Sequence, residues 1–198
     1  MRILIVFLMG FISFSSFAQS RLAMSFTGNY NFALNDLKTN FNDGLGLNAE
    51  LYYFFDDSPF AISLSLGSSV FYANEVYKKA YVDAQKDKLD KFHYEIKQYS
   101  IPILLAANYR FFRTKKIQPS VGISAGLYSL THKFKQISDH FSDTRIDTEN
   151  EFGIYPHLGL MYKITDDIGV LIKGGYTQSF GTTSISYADV RLGLIYKI

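Results

Sequence analysis

Four histidines, His93, His132, His140 and His157, are the side chains in this sequence best suited to acid–base or metal chemistry. His157 falls in an alternating segment, where a Ser or Asp from a neighbouring strand would complete a hydrolase-like pair with the imidazole as proton acceptor. No nucleophile elbow accompanies it, so the plainer expectation is an interior imidazole hydrogen-bonded to carboxylates or tyrosines. His132, Asp139, His140 and Asp143 share one polar stretch and offer nitrogen and oxygen ligands, but in no recognised metal-binding spacing. The HExxH pattern and the Gly-rich phosphate loop are both absent, and Gly174-Gly175 reads as a bend or a close packing point within a strand. With no Cys in the chain, disulfides and thiolate chemistry are excluded. No catalytic set, metal or cofactor is expected.

The elements that would carry these residues announce themselves by period-two alternation, which recurs about eight times. Segments 21–32, 44–55, 60–72, 99–111, 121–128, 152–164, 168–178 and 188–198 each set an apolar face against a small or polar one. Leu45, Leu47, Ala49, Leu51 and Tyr53 oppose Gly46, Asn48, Glu50 and Tyr52; Ile62, Leu64 and Leu66 oppose Ser63, Ser65 and Gly67. Short turn sequences at 56–59, 113–116 and 165–167 alternate with longer connections at about 33–43, 73–93, 131–151 and 179–184. Within 73–93, Val76, Tyr77, Tyr81 and Val82 are read as a continuation of strand three and Phe92 to Ile96 as a lead-in to strand four, with Lys86-Asp87-Lys88 as the hairpin tip. The expected architecture is all-β, an eight-stranded antiparallel transmembrane up-and-down β-barrel with periplasmic turns and extracellular loops.

Membrane placement follows from which face meets what. A lipocalin-like barrel or a soluble sandwich needs a polar outer face, and runs such as Ser63-x-Ser65-x-Gly67-x-Ser69 carry no charge. They suit a narrow interior. Glu50, Arg110, His157, Lys163, Lys173, Asp189 and Arg191 share that interior face and must pair there, because an isolated charge in a low-dielectric site is costly. The expectation is a plugged, polar lumen. The apolar face would meet lipid, with Phe26, Tyr30, Phe32, Tyr53, Phe55, Tyr72, Tyr109, Phe111, Tyr162, Tyr176 and Tyr196 forming interfacial girdles; the chain has 15 Tyr and 18 Phe but no Trp.

At the N-terminus, Arg2, the apolar run Ile3 to Phe14 and the small residue Ala18 form an export-signal pattern, too short to span a bilayer. Residues 1–18 are therefore expected to be a signal peptide and residues 19–198 one barrel domain of a Gram-negative outer membrane. Setting Arg2 aside, the basic residues nearly balance the 18 acidic ones, so no nucleic-acid partner is expected. Lys78, Lys79, Lys86, Lys88 and Lys91 are loop candidates for contact with lipopolysaccharide or a protein, beside the alternative of a solvated face balanced by Glu75, Asp83, Asp87 and Asp90.

Tyr99-Ser100-Ile101-Pro102-Ile103-Leu104-Leu105, running into Asn108-Tyr109-Arg110-Phe111, resembles the PorT-like outer-membrane β-barrel family, as do Gln118 to Gly126, Phe152 to Tyr162 and Arg191 to Lys197. The resemblance implies an outer-membrane barrel contacting lipid and, during biogenesis, the barrel-assembly machinery. The chain departs from the usual aromatic terminus by ending Tyr196-Lys197-Ile198, while Leu192, Leu194 and Tyr196 keep the alternating assembly pattern. Three functions are compatible: a non-enzymatic barrel displaying loops for an extracellular or envelope partner, adhesion or envelope support; a narrow channel or secretion accessory, which the resemblance allows; and a lipid-modifying enzyme that would need one of the histidines.

Overall fold

The computed structural model describes residues 21–84, 93–137 and 142–198. The expected signal peptide, and Lys86, Lys88, Lys91, Asp139 and His140, lie outside them. Eight antiparallel strands close into a barrel in sequence order: β1 Leu22–Leu34, β2 Gly44–Phe54, β3 Phe60–Tyr72, β4 His93–Arg110, β5 Ile117–Ile137, β6 Ser142–Lys163, β7 Ile168–Phe180 and β8 Ser186–Lys197. Closure is made by β1 on β8, from Ala23↔Lys197 to Leu34↔Ser186. No lateral edge is left, which is the condition for strands in hydrocarbon.

Burial alternates residue by residue, most regularly along β1. Leu47, Leu105 and Leu158 point outward and are more than 60% exposed, whereas Ser25, Ser63, Glu50 and Asp189 point inward and are buried. Phe26, Tyr30, Phe55, Tyr72, Tyr109, Phe111, Tyr162 and Tyr196 lie on the exposed face. Among the described residues no helix is long and apolar enough to cross a membrane, so the strands do the crossing. Two prolines interrupt the ladder locally. Pairing skips from Leu66↔Ile103 to Ser69↔Ser100 around Pro102, and from Ile154↔Gln178 to His157↔Gly175 around Pro156, because neither residue has an N–H to donate.

Short turns and both ends of the described chain lie at one end of the barrel, which by the general rule for bacterial outer-membrane barrels is the periplasmic one. The other end departs from the sequence expectation in three places. Residues 33–43 are no plain loop: β1 runs to Leu34 and a short helix, α1 (Asn35–Asn40), buries Leu37 against the barrel mouth, with Phe41 bridged to Ala73. Residues 75–84 form a helix, α2 (Glu75–Ala84), rather than a continuation of strand three. Asn74 caps it, its Oδ1 accepting from the Tyr77 N–H at 2.8 Å, and Glu75 favours the positive end of the helix dipole. Tyr77, Ala80, Tyr81 and Ala84 also follow helical spacing, which outweighs the β preference of isolated Val and Tyr.

The third correction is the largest. Residues 131–137 and 142–151, in a stretch expected to be a loop, extend β5 and β6 as a ladder from Thr131↔Thr148 to Ile137↔Ser142, alongside β4, whose start at His93 agrees with the expected lead-in to strand four. The three strands project beyond the bilayer as a sheet. Its many Lys, Asp and Thr residues resemble loop composition, yet cross-strand contacts such as the Thr131–Thr148 hydroxyl pair at 3.0 Å hold the register.

A closed barrel of this kind keeps its sheet in detergent until heated. Boiled and unboiled samples should therefore run at different positions on a denaturing gel; a single unchanged band would contradict the closed ladder.

Candidate functional site

The lumen is the place where ionisable groups converge. Eight strands leave an interior about wide enough for side chains alone, and inward parity delivers Glu50 and Tyr52 from β2, Ser63 from β3, Asn108 from β4, Tyr155 and His157 from β6, Lys173 from β7, and Asp189 and Arg191 from β8. Lys173 donates to Glu50 Oε2 at 2.7 Å and to the Tyr52 hydroxyl at 3.0 Å. The other Glu50 oxygen accepts from Ser63 at 2.5 Å, Asn108 donates to Ser63 at 3.0 Å, and His157 Nε2 lies 2.8 Å from Asn108 Oδ1. A single chain of polar contacts thus crosses the barrel from β7 through β2, β3 and β4 to β6.

A second pair lies beside it. Arg191 donates through Nε and Nη2 to Asp189 Oδ2 at 3.0 and 2.8 Å, and Tyr155 donates to Asp189 Oδ1 at 2.6 Å. The Arg191 guanidinium covers the Tyr155 ring at 4.3 Å, whose other contact is the stacked imidazole of His157, 5.1 Å away. Tyr155 therefore joins the two networks. Its ring needs Gly175 on the neighbouring strand, since a Cβ there would lie 2.5 Å from ring carbons; the close-packing reading of the Gly174-Gly175 pair applies to Gly175.

Of the seven interior residues named from the sequence, Glu50, His157, Lys173, Asp189 and Arg191 meet in these networks. Arg110 and Lys163 do not. They stand at the periplasmic mouth, where Arg110 covers the Phe54 ring at 3.8 Å and Lys163 donates to the Arg113 carbonyl at 3.3 Å. Tyr52, Ser63, Asn108 and Tyr155 complete the networks, each on the interior face by strand parity, a signal that gives facing but not contact. Glu151, hidden in a stretch of loop-like composition, is a further interior carboxylate: Ser179 Oγ and the Thr183 N–H donate to its two oxygens at 2.7 and 2.8 Å, tying the end of β7 and the β7–β8 loop to β6.

Toward the extracellular end the polar interior gives way to an apolar layer. There Phe71, Ile96, Leu104, Tyr128, Leu130, Tyr155 and Tyr187 pack together under Leu37 and Phe41 of the α1 region. These side chains share the parity of the serines, but lie further along strands that cross the lumen axis at a tilt, where α1 covers them from water. A smaller apolar cluster, Ala23, Tyr52, Leu171 and Ile195, closes the periplasmic side. Against this periplasmic cluster lies a cavity of about 30 Å³, lined by Tyr52, Leu171 and Ile195 together with Asn108, Arg110 and Lys173, room for one or two waters.

Above the aromatic layer the projecting sheet and α2 frame a vestibule of about 650 Å³, lined among others by Tyr77, Gln98, His132, Phe134, Arg145 and Glu149. Burial lowers the His132 pKa against the opposing pull of Asp147, its cross-strand partner. Lys78, one of the loop candidates, is paired with Glu75 at 2.9 Å, and Lys79 is exposed on α2. Among the described residues no three His, Asp or Glu side chains cluster as metal ligands do. Both nitrogens of His157 face acceptors, the Asn108 amide oxygen and, at 3.1 Å, the Tyr155 carbonyl; among the described residues no hydroxyl is bonded to either.

Closed eight-strand geometry, a lipid-facing apolar band and an ion-paired lumen define a small outer-membrane β-barrel. The chain belongs to the outer membrane protein beta-barrel domain family, which matches residues 4–197. No curated protein matches it in sequence. Among solved structures it is similar to a major outer membrane protein from Thermus thermophilus, at 11% identity over 89% of this chain and 99% of that one with a TM-score of 0.62. Neisserial surface protein A aligns at 13% identity over 89% and 97%, TM-score 0.55, and OprG from Pseudomonas aeruginosa at 12% over 91% and 97%, TM-score 0.51. At such identities the likeness is one of fold.

Two outcomes test the site. Lys173→Met strands the Glu50 carboxylate and should lower the unfolding free energy by about 3–5 kcal/mol, while Glu50→Gln added to it recovers most of the loss in denaturant titrations of the vesicle-folded barrel. Equal losses in single and double variants would remove the pair from its role. For His132, the lowered folded value means its contribution is intact above the unfolded value of ~6.5 and is lost as pH falls below it. His132→Asn should therefore narrow the gap between unfolding midpoints at pH 8 and pH 5.

Proposed function

We propose that this chain is a non-enzymatic outer-membrane barrel whose lumen is plugged by its own side chains and whose work is done at the extracellular end. There α1, α2, the loops and the projecting sheet of β4, β5 and β6 engage an extracellular or envelope partner, serving adhesion or envelope support. One observation carries the reading: the Lys173–Glu50–Ser63–Asn108–His157 chain runs side chain to side chain across the lumen, so a solute path would have to break it. The same contacts occupy His157, the interior residue on which a hydrolytic reading would depend.

Planar-bilayer recordings of the refolded protein should show no single-channel steps. Reproducible steps, lost on Lys173→Met, would overturn the plugged lumen. A second reading, an accessory barrel of a secretion apparatus, draws on the PorT-like strand Tyr99–Phe111 and on the projecting sheet as a docking element. It requires that deleting the gene stop the export of surface proteins while leaving outer-membrane permeability unchanged.

A further inference from the structure

The outer surface of the projecting sheet carries a charge arrangement that a solvated β-ladder avoids. On β4 the outward residues run Tyr109, Ala107, Leu105, Ile103, Ile101, Tyr99, Lys97, Glu95. Ten residues separate Tyr109 from Tyr99, and at about 3.4 Å per residue with a tilt of ~40° they rise about 26 Å, the height of the lipid-facing band. Lys97 is the next outward position, so it stands at headgroup depth. Register sets it directly opposite Lys133 on β5, and Glu95 opposite Lys135. On the other side Lys97 faces Tyr72 of β3, its ammonium 5.0 Å from the ring centroid.

Two like charges in direct cross-strand opposition are destabilising. One carboxylate offsets the three ammonium groups: Glu95 is bonded to Lys97 at 2.5 Å, and that bond, with Lys97, Lys135 and Lys133 all close by, holds its carboxyl below the usual range. The other outward residues around the cluster, Tyr99, Thr131, Thr144, Ile146 and Thr148, are uncharged. Surplus positive charge therefore sits immediately above a hydrocarbon-facing surface formed by Ile101, Ile103, Leu105 and Leu127, all exposed.

We propose that Lys97, Lys133 and Lys135 form a binding site for the phosphate groups of an outer-leaflet lipid, whose acyl chains lie along the apolar band of β4 and β5 below. A lipid is favoured over a protein because the cluster is continuous with the acyl-facing surface and is oriented sideways into the bilayer plane, not up toward the medium. The site differs from the α2 lysines, of which Lys78 is already paired, and it requires that the long-loop end face outward.

The test uses the full folded protein, immobilised in detergent and challenged with bisphosphorylated lipid A or with the same lipid stripped of its phosphates. The native protein should retain the phosphorylated form and release it as salt rises. Lys97→Gln/Lys133→Gln/Lys135→Gln, shown to be folded by its heat-dependent gel shift, should retain at least about tenfold less. Lys78→Gln/Lys79→Gln should retain as much as the native protein. Equal retention by the native and triple variants, equal retention of both lipids, or loss only in the α2 variant would overturn the proposal. Displacement by millimolar inorganic phosphate would show the ligand to be free phosphate and overturn the lipid assignment.

Discussion

Main-chain N–H and C=O groups in hydrocarbon have no water to bond, and the ladder of β1 on β8 is where this barrel meets that requirement. Once Ala23↔Lys197 to Leu34↔Ser186 is zipped, the sheet has no lateral edge and the strand number sets the bore. A bore of eight strands admits side chains and little else. The small inward residues Ser63, Ser65 and Gly67 on β3 are a consequence of that width, as is the position of Gly175 beneath the Tyr155 ring.

Width also dictates the electrostatics. Charges inside such a tube cannot be solvated individually, so each cation has a carboxylate within hydrogen-bond distance: Lys173 on Glu50, Arg191 on Asp189. Tyr52, Ser63 and Tyr155 add further hydrogen bonds to these pairs. A buried pair of this sort adds less to stability than its short distances suggest, because both partners have left water. Its stronger effect is on arrangement: the bonds join β2 to β7 and β6 to β8, strands that are not neighbours in the sheet.

Beyond the membrane the constraint changes. The extension of β4, β5 and β6 has water available, so it tolerates open edges, and its faces divide by environment. The inner face places Ile96, Leu130 and Phe134 over the vestibule with His132, while the outer face places lysines over the lipid surface. The helices α1 and α2 cover the lumen on one side of this sheet, which is why the interior turns from polar to aromatic as it approaches them.

Strand parity was legible in the sequence because a β-strand has only two faces and lipid accepts only one kind of side chain. That is why the facing of Leu47 against Asn48, or Ile62 against Ser63, follows from alternation alone. Parity also placed Glu50, His157, Lys173, Asp189 and Arg191 on one face, but it carries no information about height along the barrel axis or about which non-neighbouring strand lies across the bore. Those two quantities separated Arg110 and Lys163, left at the mouth, from Lys173 and Arg191, which meet carboxylates, and set Phe71 and Tyr187 in an apolar layer instead of a polar one. Composition misled where solvent, not lipid, surrounds the chain: Thr131 to Ile137 and Ser142 to Glu151 have the polarity of a loop, and only pairing with each other makes them strands. Residue type and alternation determined the wall of this barrel; tilt, closure and the packing of α1 and α2 decided its interior and its outer rim.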